Sequence, residues 1–229
     1  MKAELHEVGA ERSRIVVVDD AMMDATQVVD IAAVLAPFPQ VPNHYYPGRR
    51  RLVMPQEPAF SYFDQMCRVI SPLLREAFGV NRFRITEAGF SMVTQRPDEI
   101  QMIQRVPHFD TFDLSNFAIL HYLSRPEKGG TGFYRHRRTG FEVITAPRHQ
   151  AFRDGMDQDV REFGPPVEAY ISDTTEAFER IADYEGTFNR LLIYQGALLH
   201  SGQIPDGFDF DSNPRTGRLT GNLFLQATP

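Results

Sequence analysis

Apolar positions along the 229 residues change their period once, near residue 83. Before that point the pattern reads as one strand and two helices. Ile15-Val16-Val17-Val18 is β-branched and ends at Asp19-Asp20, which predicts a strand closed by a turn or a helix cap. Over 24–35, Val28, Val29, Ile31, Ala32 and Leu35 form an apolar stripe at helical spacing. Pro37, Pro39, Pro42, Asn43, Pro47 and Gly48 then predict a long irregular loop. From about Tyr62 to Phe78, Phe63, Met66, Val69, Ile70, Leu73 and Leu74 recur on one helical face, and Gly79 supplies the stop. That face reads as core packed against a sheet.

Beyond residue 83 the pattern shortens to β-prone runs separated by turn residues. Strands are predicted over 83–86, 89–94, 117–123, 129–134, 190–194, 197–201 and 218–226. A helix is predicted from the cap-like Asp173-x-x-Glu176 to about Tyr184. The surrounding interval, about 137–185, reads as an irregular, charged insertion, either an ordinary surface excursion or a lid over the site. Helices first and antiparallel strands afterwards predict an α+β fold, a double-stranded β-helix (jelly roll, cupin-like) with N-terminal helices packed against the sheet. The expected organisation is a single domain over 1–229, with the N-terminal strand and helices in 1–82 and the β-barrel core in 83–227.

Composition narrows the function classes. Eighteen Phe and eight Tyr with no Trp suit an aromatic-rich β core. A net charge of −6 argues against a nucleic-acid binder, which ordinarily carries a basic surface. The single cysteine, Cys67, excludes an intramolecular disulfide and a multi-cysteine metal site, and reads as a buried, inert thiol. No run approaches the roughly 18 apolar residues of a membrane span. The polar start MKAELHEVGAERS lacks the apolar stretch of a secretory signal. A cytoplasmic protein with no nucleic-acid or membrane partner is expected; sheet edges and acidic helices would permit a homodimer.

The chemistry concentrates in Val106-Pro107-His108-Phe109-Asp110. On an extended strand, residues two apart project from one face. His108 and Asp110 therefore offer an imidazole and a carboxylate together, and a second imidazole would complete a 2-His-1-carboxylate set with open coordination positions. Chance supplies about one His-x-acid pair in a chain of this composition, so the pair means little alone. About ninety positions later, His200 ends the apolar run Leu198-Leu199 before Ser201-Gly202 and offers that second imidazole. Arg218 and Thr220 share one face of the last strand, where a guanidinium flanked by a hydroxyl suits a carboxylate.

In this order the features resemble the Fe(II)/2-oxoglutarate-dependent oxygenases, especially the prolyl-4-hydroxylase-like branch. The resemblance is carried by Pro107-His108-Phe109-Asp110, by Ala118 to Ser124, by Glu127-Lys128-Gly129-Gly130-Thr131-Gly132-Phe133, by Gly196-x-x-x-His200-Ser201-Gly202 and by Arg218-Leu219-Thr220. It covers roughly residues 83–227. It implies Fe(II) on His108, Asp110 and His200, with Arg218 on the distal carboxylate of 2-oxoglutarate and Thr220 and Tyr122 assisting. It further implies O₂ as the oxidant, succinate and CO₂ as products, and a small-molecule, peptide or protein-side-chain substrate. Arg218 stands where many prolyl hydroxylases have lysine, which preserves the charge. Thr131-Gly132 replaces a frequent acidic residue. Asp110 is retained where related halogenases carry a small residue, which favours hydroxylation; Phe224, six positions after Arg218, is not the arginine of the nucleobase-demethylating branch. A cupin-like metalloenzyme without a 2-oxo acid and a non-catalytic jelly-roll binding protein are the alternative readings.

Other residues read as structural. His121 alternates opposite to Tyr122 and should point out of the barrel. The basic run Arg135-His136-Arg137-Arg138 is either a solvated face or a lure for an anion, and Tyr45-Tyr46-Pro47-Gly48-Arg49-Arg50-Arg51 either shapes a cleft or packs a stiff loop on the barrel.

Overall fold

Strict alternation along the strands gives this molecule two apolar layers from one sheet. The computed structural model describes residues 1–40 and 46–229. In chain order the elements are β1 (Lys2–Val8), β2 (Ser13–Asp19), α1 (Ala25–Val34), β3 (Gly48–Leu52), α2 (Phe60–Phe78), β4 (Arg82–Val93) and β5 (Asn116–Tyr122). They continue with β6 (Gly130–His136), α3 (Ala146–Phe163), β7 (Phe178–Tyr184), β8 (Leu191–Gln195), β9 (His200–Gln203) and β10 (Leu219–Thr228). Seven strands form one antiparallel sheet in the order β1-β2-β8-β5-β10-β4-β3, and β7-β6-β9 form a second.

The parity of each strand assigns its side chains to a layer. Ile15, Val17, Ala118, Tyr122, Leu192 and Tyr194 point inward and meet Phe133 of the small sheet. Val16, Val18, Phe117, Ile119, Leu191 and Ile193 point outward and are covered by the helices. α2 supplies most of that cover through Phe63, Met66, Ile70 and Leu74, all fully buried. Each such side chain contributes about 1.5–3 kcal/mol by leaving water. Gly79 ends α2 in the left-handed conformation expected of a helix stop, its N–H returning to the Arg75 carbonyl. Gly221 of β10 is needed for α2 to dock, because a Cβ there would lie 2.2 Å from the Tyr62 hydroxyl.

His121 lies on the outer face, as its parity with Tyr122 predicts, and is fully buried beneath α2. Its Nε2 hydrogen-bonds Asn189 Oδ1 at 3.0 Å and its Nδ1 meets the Tyr62 hydroxyl at 2.8 Å. Asn189 Oδ1 also accepts from the Met22 N–H, so the oxygen is an acceptor and His121 donates from Nε2. The role is structural.

Several segments differ from their sequence reading. The helix expected over 173–184 is instead strand β7. The Asp173-x-x-Glu176 pattern forms turns, with Asp173 accepting from the Thr174 N–H and Thr175 bonding Phe178 in both directions. The interval 137–185 is not irregular, because it contains α3 as well as β7. That helix buries only Phe152, Gly155 and Asp159 completely, too narrow an apolar stripe to stand out in a charged segment. The polar N-terminus forms β1, whose pairing with β2 leaves its side chains mostly exposed. The runs at 83–86 and 89–94 join in one strand, β4. Pro42 and Asn43 of the expected loop, and Tyr45, lie outside the described residues. Among the described residues no helix is long and apolar enough to cross a membrane.

Candidate active site

His108 and His200 are brought together by the backbone. Their peptide groups exchange two hydrogen bonds, His108 N–H to His200 O at 2.9 Å and His200 N–H to His108 O at 2.8 Å. The two imidazoles are thus direct cross-strand neighbours, with ring centroids 4.3 Å apart. Asp110, two residues on, donates its N–H to the Gly196 carbonyl in the turn between β8 and β9. Its carboxylate stands 3.8 Å from the Nε2 of each histidine, through Oδ1 to His108 and Oδ2 to His200. One ligand atom from each of the three residues lies within 4.8 Å of the others.

Two features prepare the set for a cation. His200 Nδ1 is 2.8 Å from the Leu198 carbonyl, which accepts only from N–H. That contact places the proton on Nδ1 and leaves the Nε2 lone pair facing Asp110. Burial pushes the His200 pKa down to about 4, so the ring stays neutral at pH 7. Burial also raises the pKa of Asp110, whose carboxylate lacks a cation of its own. His108 is half exposed and opens the set to solvent. Two imidazole nitrogens and one carboxylate with an open side match the donors that Fe(II) takes in a facial 2-His-1-carboxylate site.

A second cluster lies along the inward face of the large sheet. Arg218 is buried just before β10 and donates from Nη2 to the Gly130 carbonyl at 2.9 Å, while its Nε has no hydrogen-bond partner among the described residues. Its guanidinium carbon is 5.9 Å from the Tyr122 ring centroid. The Tyr122 hydroxyl pairs with Thr131 at 2.6 Å. Thr220 is buried two residues beyond Arg218, its hydroxyl 3.5 Å from the Ser91 carbonyl. Registration across the sheet sets Arg50, Ser91, Thr220 and Tyr122 in one row over β3, β4, β10 and β5. All six residues picked from the sequence therefore face the same interior.

The sequence did not single out Ser91, Asn222 or Tyr194 at this site, and marked Thr131 only as a departure from the family pattern. Asn222 donates to Ser91 Oγ at 2.5 Å, and Arg50 donates to it from Nε at 3.1 Å. Arg50 also pairs with Glu87 at 2.5 Å and lies between the rings of Tyr46 and Phe224. Within the aromatic–cation run, Tyr46 packs on Val93, Ile100, Tyr170 and Ile204, and Arg50 lies on the inward row of the sheet. Strand parity on β4 and β10 could have found Ser91 and Asn222, since both are polar positions between apolar neighbours.

The remaining candidates are structural. Arg135 pairs with Glu142 and Glu179, Arg138 with Asp159 and Glu162, and buried His136 bonds Asp159 at 2.6 Å. Arg137 donates to the Thr175 carbonyl, so every member of the basic run is engaged within the fold. Cys67 is partly buried, and burial pushes its thiol up to about 11, which keeps it unreactive. A surface cleft of about 570 Å³ bounded by Arg14, Phe78, Ser115, Arg148 and Gln195 contains none of the three clustered ligands.

The fold matches solved structures over nearly the whole chain. HygX from Streptomyces hygroscopicus, solved with nickel and 2-oxoglutarate, is 16% identical with a TM-score of 0.53, covering 95% of this chain and 84% of that one. The iron-bound form of HygX is 15% identical with a TM-score of 0.52 over the same shares. SnoN, a non-heme alpha-ketoglutarate-dependent epimerase of nogalamycin biosynthesis, is 13% identical with a TM-score of 0.51, covering 95% and 79%. The jelly roll expected from the motif order is the fold these structures share with the chain. No curated protein matches the chain. The triad, the Arg218 cluster and the edge strand β3 all fall inside residues 1–225, which match the family described as Family of unknown function (DUF6445), and the chain belongs to that family.

Proposed function

We propose that the chain is an Fe(II)/2-oxoglutarate-dependent oxygenase, with hydroxylation as its reaction. The observation that carries this reading is the pairing of two sites on one interior. His108, Asp110 and His200 would hold Fe(II), and a buried arginine with neighbouring hydroxyls would hold an oxo-acid carboxylate. HygX, of the same fold, has been solved with iron and, separately, with nickel and 2-oxoglutarate.

Each residue has a defined task. His200 would present Nε2 because Leu198 fixes its tautomer, and Asp110 would neutralise one charge of the ion from a carboxylate oriented by the Gly196 turn. Arg218 would bind the distal carboxylate of 2-oxoglutarate by charge-assisted hydrogen bonds, with Tyr122 and Thr220 assisting. Phe133, Tyr194 and Leu198 exclude water from the interior beside the triad. When bound, Fe(II) with 2-oxoglutarate and O₂ supplies oxidation of a substrate C–H bond coupled to decarboxylation of the oxo acid to succinate and CO₂. Retention of Asp110 favours hydroxylation over halogenation, since the carboxylate takes the position a halide would need.

Anaerobic titration of 2-oxoglutarate into the Fe(II)-loaded protein tests the reading. A visible metal-to-ligand charge-transfer band is expected in the wild type and is lost in His108→Ala and Asp110→Ala. Arg218→Ala should retain the metal and weaken 2-oxoglutarate by about 10- to 100-fold, the range of one to two charge-assisted hydrogen bonds. A missing band, together with no succinate over a substrate panel, would overturn it. A band unaltered by Arg218→Ala would instead leave a metalloenzyme that does not use this pocket for the oxo acid.

A further inference from the structure

The hydrogen bonds around Tyr46 do not balance. Its hydroxyl is buried and has no hydrogen-bond partner among the described residues. It faces the hydroxyls of Ser91 and Thr220, with the guanidinium groups of Arg218 and Arg50 beside it. Ser91 Oγ already accepts from Arg50 Nε at 3.1 Å and from Asn222 Nδ2 at 2.5 Å. A hydroxyl oxygen has two acceptor positions, so Ser91 has none left for a third donor. Arginine accepts nothing. The second buried polar atom without a hydrogen-bond partner among the described residues is Arg218 Nε, again a donor. Thr220 Oγ1 has open acceptor positions, but it stands outside hydrogen-bonding geometry with either group. Two buried donors, one of them cationic, therefore meet unpaired in one pocket, which a fold does not sustain twice in one place without a compensating role.

We infer that Tyr46 is a cosubstrate-binding residue: its hydroxyl donates to the same distal carboxylate that Arg218 binds. The inference rests on the proposed function and extends it to a residue ahead of β3, outside the barrel motifs. A carboxylate presents about four lone-pair sites and can take the guanidinium and the phenol together. Arg50 fixes the phenol, since its guanidinium carbon lies 5.7 Å from the Tyr46 ring centroid and its Nε is tied to Ser91. Tyr46 also packs with Val93, Ile100, Tyr170 and Ile204, which close this end of the interior. The lead-in to the edge strand thus completes the carboxylate pocket from the side opposite Tyr122.

The test is Tyr46→Phe in the full chain, loaded with Mn(II) in place of iron. Calorimetric binding of 2-oxoglutarate should weaken about tenfold, the value of one charge-assisted hydrogen bond, with Mn(II) affinity unchanged. Binding of pyruvate, a 2-oxo acid without a distal carboxylate, should be equal in wild type and variant. Thermal unfolding of the metal-free variant should match or exceed the wild type, because the substitution removes an unpaired buried hydroxyl; a structural hydroxyl would lower it. Equal 2-oxoglutarate affinity in both proteins, or a loss of pyruvate binding matching that of 2-oxoglutarate, overturns the role of Tyr46 alone. Failure of the Mn(II)-loaded wild type to bind 2-oxoglutarate overturns the underlying function and this role with it.

Discussion

His200 and His121 show how one residue type acquires two roles from its surroundings. Both are buried, and burial pushes both down to about 4. His200 ties one nitrogen to the Leu198 carbonyl and leaves the other facing Asp110. His121 uses both nitrogens within the fold, on Tyr62 and Asn189. The His121 environment yields a pH prediction. Its pKa is lower folded than unfolded, so the unfolded chain binds the extra proton between about 6.5 and 4. Stability is therefore full above about 6.5 and declines as pH falls toward 4. The slope from this residue reaches about 1.4 kcal/mol per pH unit. Urea midpoints of the metal-free protein at pH 7.5 and 5.0 should show His121→Gln losing about 2 kcal/mol less than the wild type over that interval. Equal losses would remove His121 from the linkage. The sequence placed His121 on the outer face by parity alone, but its partners come from residues 59 and 68 positions away and carried no local signal.

Among the elements, the β1–β2 hairpin depends on one carboxylate from across the barrel. Glu142 is fully buried and accepts from the Ala10 N–H at 2.8 Å, the Glu11 N–H at 3.0 Å and Arg135 Nε at 2.8 Å. Gly9, at φ +69°, admits it, since a Cβ there would lie 2.1 Å from Glu142 Oε2. Glu142→Ala removes the charged acceptor shared by two N–H groups and Arg135, which keeps Glu179, and should cost about 1.5–3 kcal/mol, the range for a hydrogen bond to a charged group. Calorimetry should then show a fall in the unfolding temperature on the order of 10 °C. A change within a degree or two would mean that the hairpin holds without it. The elements also separate by legibility. α2 was readable because its stripe is wide and its stop is a glycine. β7 was misread because an acidic cap pattern is equally a turn pattern, and only pairing with β6 decides between them. α3 was missed because Phe152, Met156 and Asp159 make a weak stripe whose packing partners, Tyr134, His136 and Phe178, belong to other elements.

At the scale of the whole molecule, the triad and the Arg218 cluster are held by both sheets and by the edge strand at once. Ligands that bind only this assembled interior should stabilise the native state by mass action. At a hundredfold excess over Kd the gain is about 2.7 kcal/mol. In a chain of this length that corresponds to a rise of roughly 5–10 °C in the unfolding temperature. Mn(II) with 2-oxoglutarate should produce it in the wild type and not in Asp110→Ala, as read by scanning calorimetry. An equal rise in the variant would show that the ligands bind elsewhere.

Periodicity is a local property, and it was enough for the sequence alone to determine most strands of the second half, the α2 helix and the opposite faces of His121 and Tyr122. The order of His108, Asp110, His200 and Arg218 likewise supported a resemblance to one fold, because spacing along strands survives when the side chains between them change. Convergence is not local. That His108 exchanges backbone bonds with His200, that Gly196 anchors Asp110, and that Tyr46 and Arg50 reach the Arg218 pocket were decided only by tertiary structure. These contacts depend on which strands pair and which loop closes the barrel end, and no pattern within a few residues of Tyr46 or Gly196 encodes that choice.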